Sequence, residues 1–368
     1  MKNARDTSLS VLQRRALLIF GMLSLLPIIV TATVNYEIDP FQYFRVSRPA
    51  QFSNLMQRFQ APGVIRNYDF DSLIVGNSVV ANIQNWMFDR PEFPVKPNVM
   101  NLSFWGSTIR EDAYVVALTL KRKPIKTVYW SIGRQTALGE FRYADFPKCM
   151  YGGIYRFIPP YCYLLNSNVL WESLVSFIHS RYSNAGWVED LDKWKTFGPL
   201  RMDPHTEACQ IQKSVKLDDI DHLTRAVESD LGPIHGTVYE RYRDIVLPLV
   251  RANSNVRFVF LFSPVYLSHL WREATSGSIR TERALIDLFS PEPNAEIHDM
   301  TGLTLITHDL GHYRDDIHYD AEGAQNVVAA LASGAMKINS IDQHEKMLRE
   351  ELEASADLMR SYLNERCP

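Results

Sequence analysis

Two short stretches far apart in the chain carry residue types that could do covalent chemistry together: Gly76-Asn77-Ser78 and Asp315-Asp316-Ile317-His318. A serine hydroxyl is a weak nucleophile until a base takes its proton. A histidine serves as that base when a carboxylate holds its other ring nitrogen. The three-residue spacing lets Asp315 turn back onto His318 within one turn of chain. Ser78 directly follows the apolar run Ser72-Leu73-Ile74-Val75 and Gly76, and would project near a helix N-terminus. Free backbone N–H groups and the helix dipole there favour negative charge developing on a carbonyl oxygen. Each stretch also has a plainer reading, Ser78 as a helix cap and Asp315-Asp316 as a solvated acidic loop beside an exposed histidine. Only a fold that brings both to one place makes them a site.

The intervening pattern supplies such a fold. Short apolar runs read as strands at Ser72–Val75, Val99–Leu102, Thr127–Ile132, Phe258–Phe262 and about Ala295–His298. Continuous apolar runs suit parallel strands covered on both faces. Helical signals fall between them. Thr108 and Glu111 have capping-box spacing, and further helices are expected at about Val238–Arg251, Ile279–Leu288, Ala321–Met336 and His344–Asn364. The alternation predicts a three-layer, doubly wound, mostly parallel α/β sheet, with working residues at the carboxyl ends of the strands. Residues 133–231 break the rhythm and read as an insertion. Its one clear amphipathic helix follows Asn168 and carries Leu170, Leu174, Phe177 and Ile178 on its apolar face.

The first residues have a different composition. Lys2, Arg5, Arg14 and Arg15 precede an apolar run from Ala16 to Val34, followed by Glu37 and Asp39. Those 19 residues are long enough for a hydrocarbon core of roughly 30 Å, and the basic flank predicts an inside N-terminus with the remainder outside. Val30-Thr31-Ala32 loosely fits a signal-peptide cleavage site, so a cleaved leader is the competing reading. The expected organisation is a cytoplasmic tip (1–15), a membrane anchor (16–35), a linker and domain entry (36–69), the α/β domain (70–340) and a C-terminal amphipathic helix (341–368). A net charge of -3 across 368 residues provides no field that would attract nucleic acid. Of four cysteines, Cys149 and Cys162 flank a Pro-Pro turn and form the candidate disulfide of an exported domain.

The first-strand Gly-x-Ser and the late Asp-x-x-His on an alternating α/β chain resemble the SGNH (GDSL-type) hydrolase superfamily over roughly residues 67–338. In that resemblance Gly76-Asn77-Ser78 corresponds to the family's first block and Asp315–His318 to its last. Asn101-Leu102-Ser103-Phe104-Trp105-Gly106 corresponds to the second block, whose glycine gives an oxyanion-hole N–H. The third block departs from the pattern. Where the family has Gly-x-Asn, this chain has Ser131-Ile132-Gly133-Arg134-Gln135, so Gln135, Arg134 or a backbone donor substitutes, or the oxyanion hole is incomplete. Loss of one such donor costs about 2.7–4 kcal/mol of barrier. Tyr36–Pro40, Arg58–Gly63 and Phe262–Tyr266 are similar to stretches in single-pass proteins of bacterial surface-polysaccharide machinery.

The resemblance implies serine-dependent acyl transfer or ester hydrolysis on an extracytoplasmic glycan, by a protein of the bacterial inner membrane facing the periplasm or exterior. Ser78 would be the nucleophile and His318, oriented by Asp315, the base. The N–H groups of Ser78 and Gly106 would form the oxyanion hole. The partners it implies are an acylated carbohydrate, the membrane and envelope polysaccharide-assembly proteins. A catalytically silent glycan-binding or scaffold subunit, or a lipid or thioester esterase, are the alternatives. No cofactor is expected. His308 and His312 have i, i+4 spacing but lie beside Gly311 in loop-like sequence, so no metal site is expected there. Asp299 is a second candidate for orienting His318. Arg134 lies near the expected site, where it could meet an anionic substrate or form an ordinary salt bridge. The aromatic residues of the insertion (Tyr155, Phe157, Tyr161, Tyr163, Trp187, Trp194) could stack on sugar rings or build core.

Overall fold

The computed structural model describes residues 11–46, 52–53, 56–133, 146–151, 159–182, 187–188, 202–217, 219–220, 236–276 and 279–367. The chain forms two compact units, one of residues 1–67 and 147–189 and the other of residues 68–146 and 190–368. Residues 36–67 of the expected linker and residues 147–189 of the expected insertion thus belong together with the N-terminal helix.

In the first unit, helix α1 (Val11–Ile38) is long and apolar enough to cross a membrane. The short strands β1 (Phe52–Ser53) and β5 (Trp187–Val188) pair antiparallel. Helices α2 (Gln57–Asn67), α4 (Pro159–Leu164) and α5 (Ser167–Tyr182) surround a small core of Phe41, Tyr43, Phe59, Met150, Tyr163 and Val169. The stretch Arg58–Gly63 lies against Phe41, immediately after Tyr36–Pro40. Asp39, at φ 46°, accepts hydrogen bonds from the backbone N–H groups of Tyr43 (2.8 Å), Phe44 (3.0 Å) and Arg45 (3.1 Å). The Gln60 side chain donates to Phe41 C=O at 2.9 Å. Burial pushes the Asp39 carboxyl above its usual range, with those hydrogen bonds and one to Tyr163 opposing it. Both stretches therefore fix how the chain leaves α1, which is a structural role.

The apolar face expected for the insertion helix turns outward. In α5, Val169, Ser173 and Ser176 are buried, whereas Leu174, Phe177 and Ile178 are 45%, 50% and 56% exposed. The disulfide expectation is also corrected. Cys209 pairs with Cys367, while Cys149 and Cys162 are free thiols. Burial, then a hydrogen bond with Cys149, pushes the Cys162 thiol up to about 12.

The second unit is a mixed six-stranded sheet. Its strands are β2 (Ser72–Val75), β3 (Val99–Asn101), β4 (Thr127–Ile132), β6 (Arg257–Phe262), β7 (Ala295–Asp299) and β8 (Lys337–Ile338), in the order β3-β2-β4-β6-β7-β8. The first five are parallel, and β8 adds an antiparallel edge. β2 is buried along its whole length, as a parallel strand with both faces covered must be. Helix α3 (Ile109–Arg122) starts at the expected capping box. The Thr108 hydroxyl accepts from Glu111 N–H, and Glu111 accepts from Thr108 N–H, each at 3.2 Å. The remaining long helices are α6 (Pro204–Ile211), the helical run 237–251 (α7), α8 (Leu267–Ser276), α9 (Ile279–Phe289), α10 (Ala321–Ser333) and α11 (Ile341–Leu363). Strand order reverses at β2, because the chain passes from β2 to β3 on one side and then to β4 on the other. Such a reversal opens a crevice at the carboxyl ends of the strands.

Candidate active site

The residue after β2 is forced to be glycine. Gly76 has φ 137°, and a Cβ there would lie 2.7 Å from the Ser131 Cβ on β4. The chain can therefore turn sharply while staying against the neighbouring strand. Asn77 then caps a single 3-10 turn, Ser78–Val80, its side-chain oxygen accepting from Val79 N–H at 3.1 Å. Ser78 opens that turn, half-buried at the strand-order reversal.

The second loop is laid against the first by backbone bonds. Leu102 N–H donates to Ile74 C=O at 2.8 Å, and Phe104 N–H to Gly76 C=O at 3.0 Å. Gly106, at φ 57°, is carried by this loop. Asn101, which the sequence reading gave no role, clamps the chain beyond Ser78. Its amide donates to Val80 C=O (2.8 Å) and Ile83 C=O (2.9 Å), and its oxygen accepts from Ser103. Below the crevice, the hydroxyls of Ser131 and Ser263 hydrogen-bond at 2.9 Å, tying the ends of β4 and β6 together.

His318 arrives on the loop before α10. Tyr313 and Tyr319, both 1% exposed, anchor the loop ends and pair as an isolated β-bridge. Asp320 caps α10 by accepting from Gly323 N–H at 2.8 Å. Within the loop, Asp315 Oδ1 accepts from the backbone N–H groups of Ile317 (3.0 Å) and His318 (2.9 Å). Asp315 Oδ2 lies 2.7 Å from His318 Nδ1, and His318 Nε2 lies 2.7 Å from Ser78 Oγ. The carboxylate fixes the tautomer: Nδ1 carries the proton, and Nε2 accepts the serine hydroxyl. Burial raises the Asp315 carboxyl, but the hydrogen bond and charge of His318 and the two backbone N–H groups outweigh it, and the net shift is downward.

Two braces fix this loop, and the sequence signalled neither. Asn82, 1% exposed, donates from its amide to Tyr319 C=O at 2.5 Å, joining the serine segment to the histidine loop directly. Asp316 accepts from His269 and Arg272 on α8, and its C=O accepts from Tyr266 N–H at 2.9 Å. Asparagines and acidic residues are common in loops for turn reasons alone, so only their partners across the fold reveal the role.

The other candidates separate. Asp299 does not orient His318. It lies 2.6 Å from His344 Nδ1, and Glu282 lies 3.8 Å from the other ring nitrogen. All three are at most 2% exposed, forming a His–carboxylate network behind the sheet ends that sequence spacing could not reveal. Their ligand-type atoms lie within 4.8 Å of one another. His308 and His312 do not converge: His308 pairs with Glu351 at 2.7 Å, and His312 lies 3.4 Å from Asp320. Gln135 and Arg134 lie outside the described residues, as do Tyr155, Phe157 and Trp194. Tyr163 is core and Tyr161 is exposed.

The fold and site define an α/β domain with a Ser–His–Asp hydrogen-bond chain at the carboxyl end of its first parallel strand. No family model matches the chain, and no curated protein matches it. Function is therefore read from the geometry.

Proposed function

We propose that this protein is a serine-dependent acyl-transfer enzyme of the SGNH type. It would cleave or transfer an ester on an extracytoplasmic glycan while held to the membrane by α1. The observation that carries the reading is the continuous chain from Ser78 Oγ through His318 to Asp315, with 2.7 Å at each link. His318 Nε2 takes the hydroxyl proton as Ser78 Oγ attacks the acyl carbonyl. The imidazolium, held by Asp315, returns that proton to the leaving alcohol, and an acyl-serine remains. Water or a sugar hydroxyl then attacks the acyl-serine, with His318 again as base. The N–H groups of Ser78 and Gly106 serve the oxyanion, while the Asn77 side chain caps Val79 N–H. The strand order, 2-1-3-4-5 among the five parallel strands, supports a doubly wound, flavodoxin-like sheet of the kind that SGNH proteins have. The glycan substrate rests on the resemblance of Tyr36–Pro40, Arg58–Gly63 and Phe262–Tyr266 to polysaccharide-modifying proteins.

The test is reaction of the full-length, detergent-solubilised protein with a fluorophosphonate, followed by peptide mass spectrometry. The expected result is one adduct, on Ser78, that is absent from Ser78→Ala and falls sharply in His318→Ala. Unmodified Ser78 under conditions that label a control serine esterase refutes the reading.

A further inference from the structure

The outward face of α5 has a chemistry that water does not explain. Trp171, Leu174, Phe177 and Ile178 are 66%, 45%, 50% and 56% exposed, and Leu165 and Tyr161, just before α5 in the chain, are exposed at 50% and 63%. Scattered exposed apolar residues are ordinary, but a contiguous face of this size marks a contact surface. The inner side of α5 says where that surface lies. Val169, Ser173 and Ser176 form its buried stripe, and α5 packs against α1. Ser173 Oγ donates to Asn35 Oδ1 at 3.1 Å, and the Asn35 amide donates to Leu164 C=O at 2.9 Å and Asn166 C=O at 3.3 Å. On α1, burial is concentrated on one face of the last two turns, at Thr31, Ala32, Val34, Asn35 and Ile38. Small residues on the inner stripe allow close helix approach, as they do between helices in lipid.

We infer that α5 is a membrane-interface helix, its Trp171/Leu174/Phe177/Ile178 face immersed in the outer leaflet beside α1. The inference rests on α1 being a retained span. Asn35 is the first residue beyond the apolar run Ala16–Val34, so the contact holds α5 where the hydrocarbon of the bilayer gives way to headgroups. At 16 residues, α5 is about 24 Å long, too short to cross a core of roughly 30 Å. Too short to span and held on its inner side by α1, α5 is placed along the interface with Trp171, Leu174, Phe177 and Ile178 outward. Trp171, Tyr161 and Tyr36 supply the amphipathic rings that settle at headgroup level. The lipid partner is chosen over a protein one because α5 packs against α1, whose own exposed apolar residues, Leu17 to Val30, belong to a helix long enough to cross a membrane.

The experiment uses the full-length chain in phosphatidylcholine nanodiscs, with Cys149→Ser and Cys162→Ser removing the free thiols. An environment-sensitive NBD fluorophore is placed singly through Phe177→Cys, Leu25→Cys in mid-α1, or Leu305→Cys on the exposed surface of the sheet unit. Doxyl-labelled lipids with the quencher near the headgroup or deep in the acyl chain report depth. The expected result is blue-shifted emission at position 177 that is mostly lost to the shallow quencher. Position 25 should lose most emission to the deep quencher, and position 305 to neither. Quenching at 25 with none at 177 overturns the α5 inference and leaves the span intact; a blue shift at 177 without lipid quenching does the same, with protein covering the face. No quenching at 25 refutes the span, and the α5 inference falls with it.

Discussion

Replacing Asp315 by asparagine tests the proposed mechanism at its most specific point. The carboxylate oxygens are held differently: Oδ1 accepts two backbone N–H groups, at 3.0 and 2.9 Å, and also lies 2.9 Å from His318 Nδ1, whereas Oδ2 faces only that ring nitrogen, at 2.7 Å. In Asp315→Asn the amide oxygen must stay with the backbone donors, which puts the NH2 group against Nδ1. An amide NH2 donates and cannot accept. With that NH2 as its nearest neighbour, Nδ1 is favoured in its unprotonated, accepting form, and Nε2 then presents an N–H to Ser78 Oγ and cannot take its proton. Loss of the working tautomer in a Ser-His-Asp site costs about 10⁴-fold in kcat, or about 5–6 kcal/mol of barrier at about 1.4 kcal/mol per factor of ten. The loop keeps both backbone bonds, so folding stability should change little. The assay is fluorophosphonate labelling rate and small-ester hydrolysis at neutral pH, beside a thermal melt in detergent. A variant that melts normally and reacts within about tenfold of wild type would refute the reasoning, because a tautomer effect predicts about 10⁴.

Gly76→Ala should destabilise the sheet unit by about 2–5 kcal/mol, from backbone strain at φ 137° and the 2.7 Å approach to the Ser131 Cβ. A double-mutant cycle with Ser131→Gly, followed by urea unfolding, should recover only the contact part, and additivity would show that no contact exists. Asn82→Ala should leave Tyr319 C=O without its amide donor and cost about 1–3 kcal/mol. It should also slow labelling of Ser78 more than a distant substitution of equal stability cost does; equal slowing would make Asn82 merely structural. Glu296 joins Arg257 on β6, Lys337 on β8 and His298 on β7. Burial raises its carboxyl, but these partners outweigh burial and lower it from 4.5 to about 2. Because the folded value is depressed, its stabilising contribution is present above pH 4.5 and is lost as pH falls from there towards 2, by about 1–2 kcal/mol after solvent screening. Glu296→Gln should flatten the stability–pH slope in that window, and an unchanged slope would assign acid sensitivity elsewhere.

The local patterns of the chain determined its parallel strands. Leu73-Ile74-Val75 and Phe258–Phe262 are continuous apolar runs, and only a strand buried on both faces uses residues that way. Thr108 and Glu111 determined a helix start, since a capping box is satisfied within four residues. Ser78, Asp315 and His318 were visible because the spacing of the last two is local and Gly76 marks a turn. What the sequence could not contain is anything set by contacts between distant segments. Asn82 bonds a carbonyl 237 residues away, Asp316 is held by a helix 47 residues earlier, and Cys209 finds Cys367 across 158 residues. An asparagine, an aspartate or a cysteine gives no local sign of such partners.

α5 shows the same division from the other side. The spacing of Leu170, Leu174, Phe177 and Ile178 marked a helix after Asn168, and the chain is helical over Ser167–Tyr182, because a 3.6-residue repeat is a property of the sequence. Which face turns inward was decided by packing. Ser173 and Ser176 took the buried positions, Ser173 bonding to Asn35 of α1, and the larger apolar side chains were left outside. A hydrophobic stripe records an affinity for an apolar surface; only the tertiary structure decides which surface, within the chain or beyond it, meets that stripe.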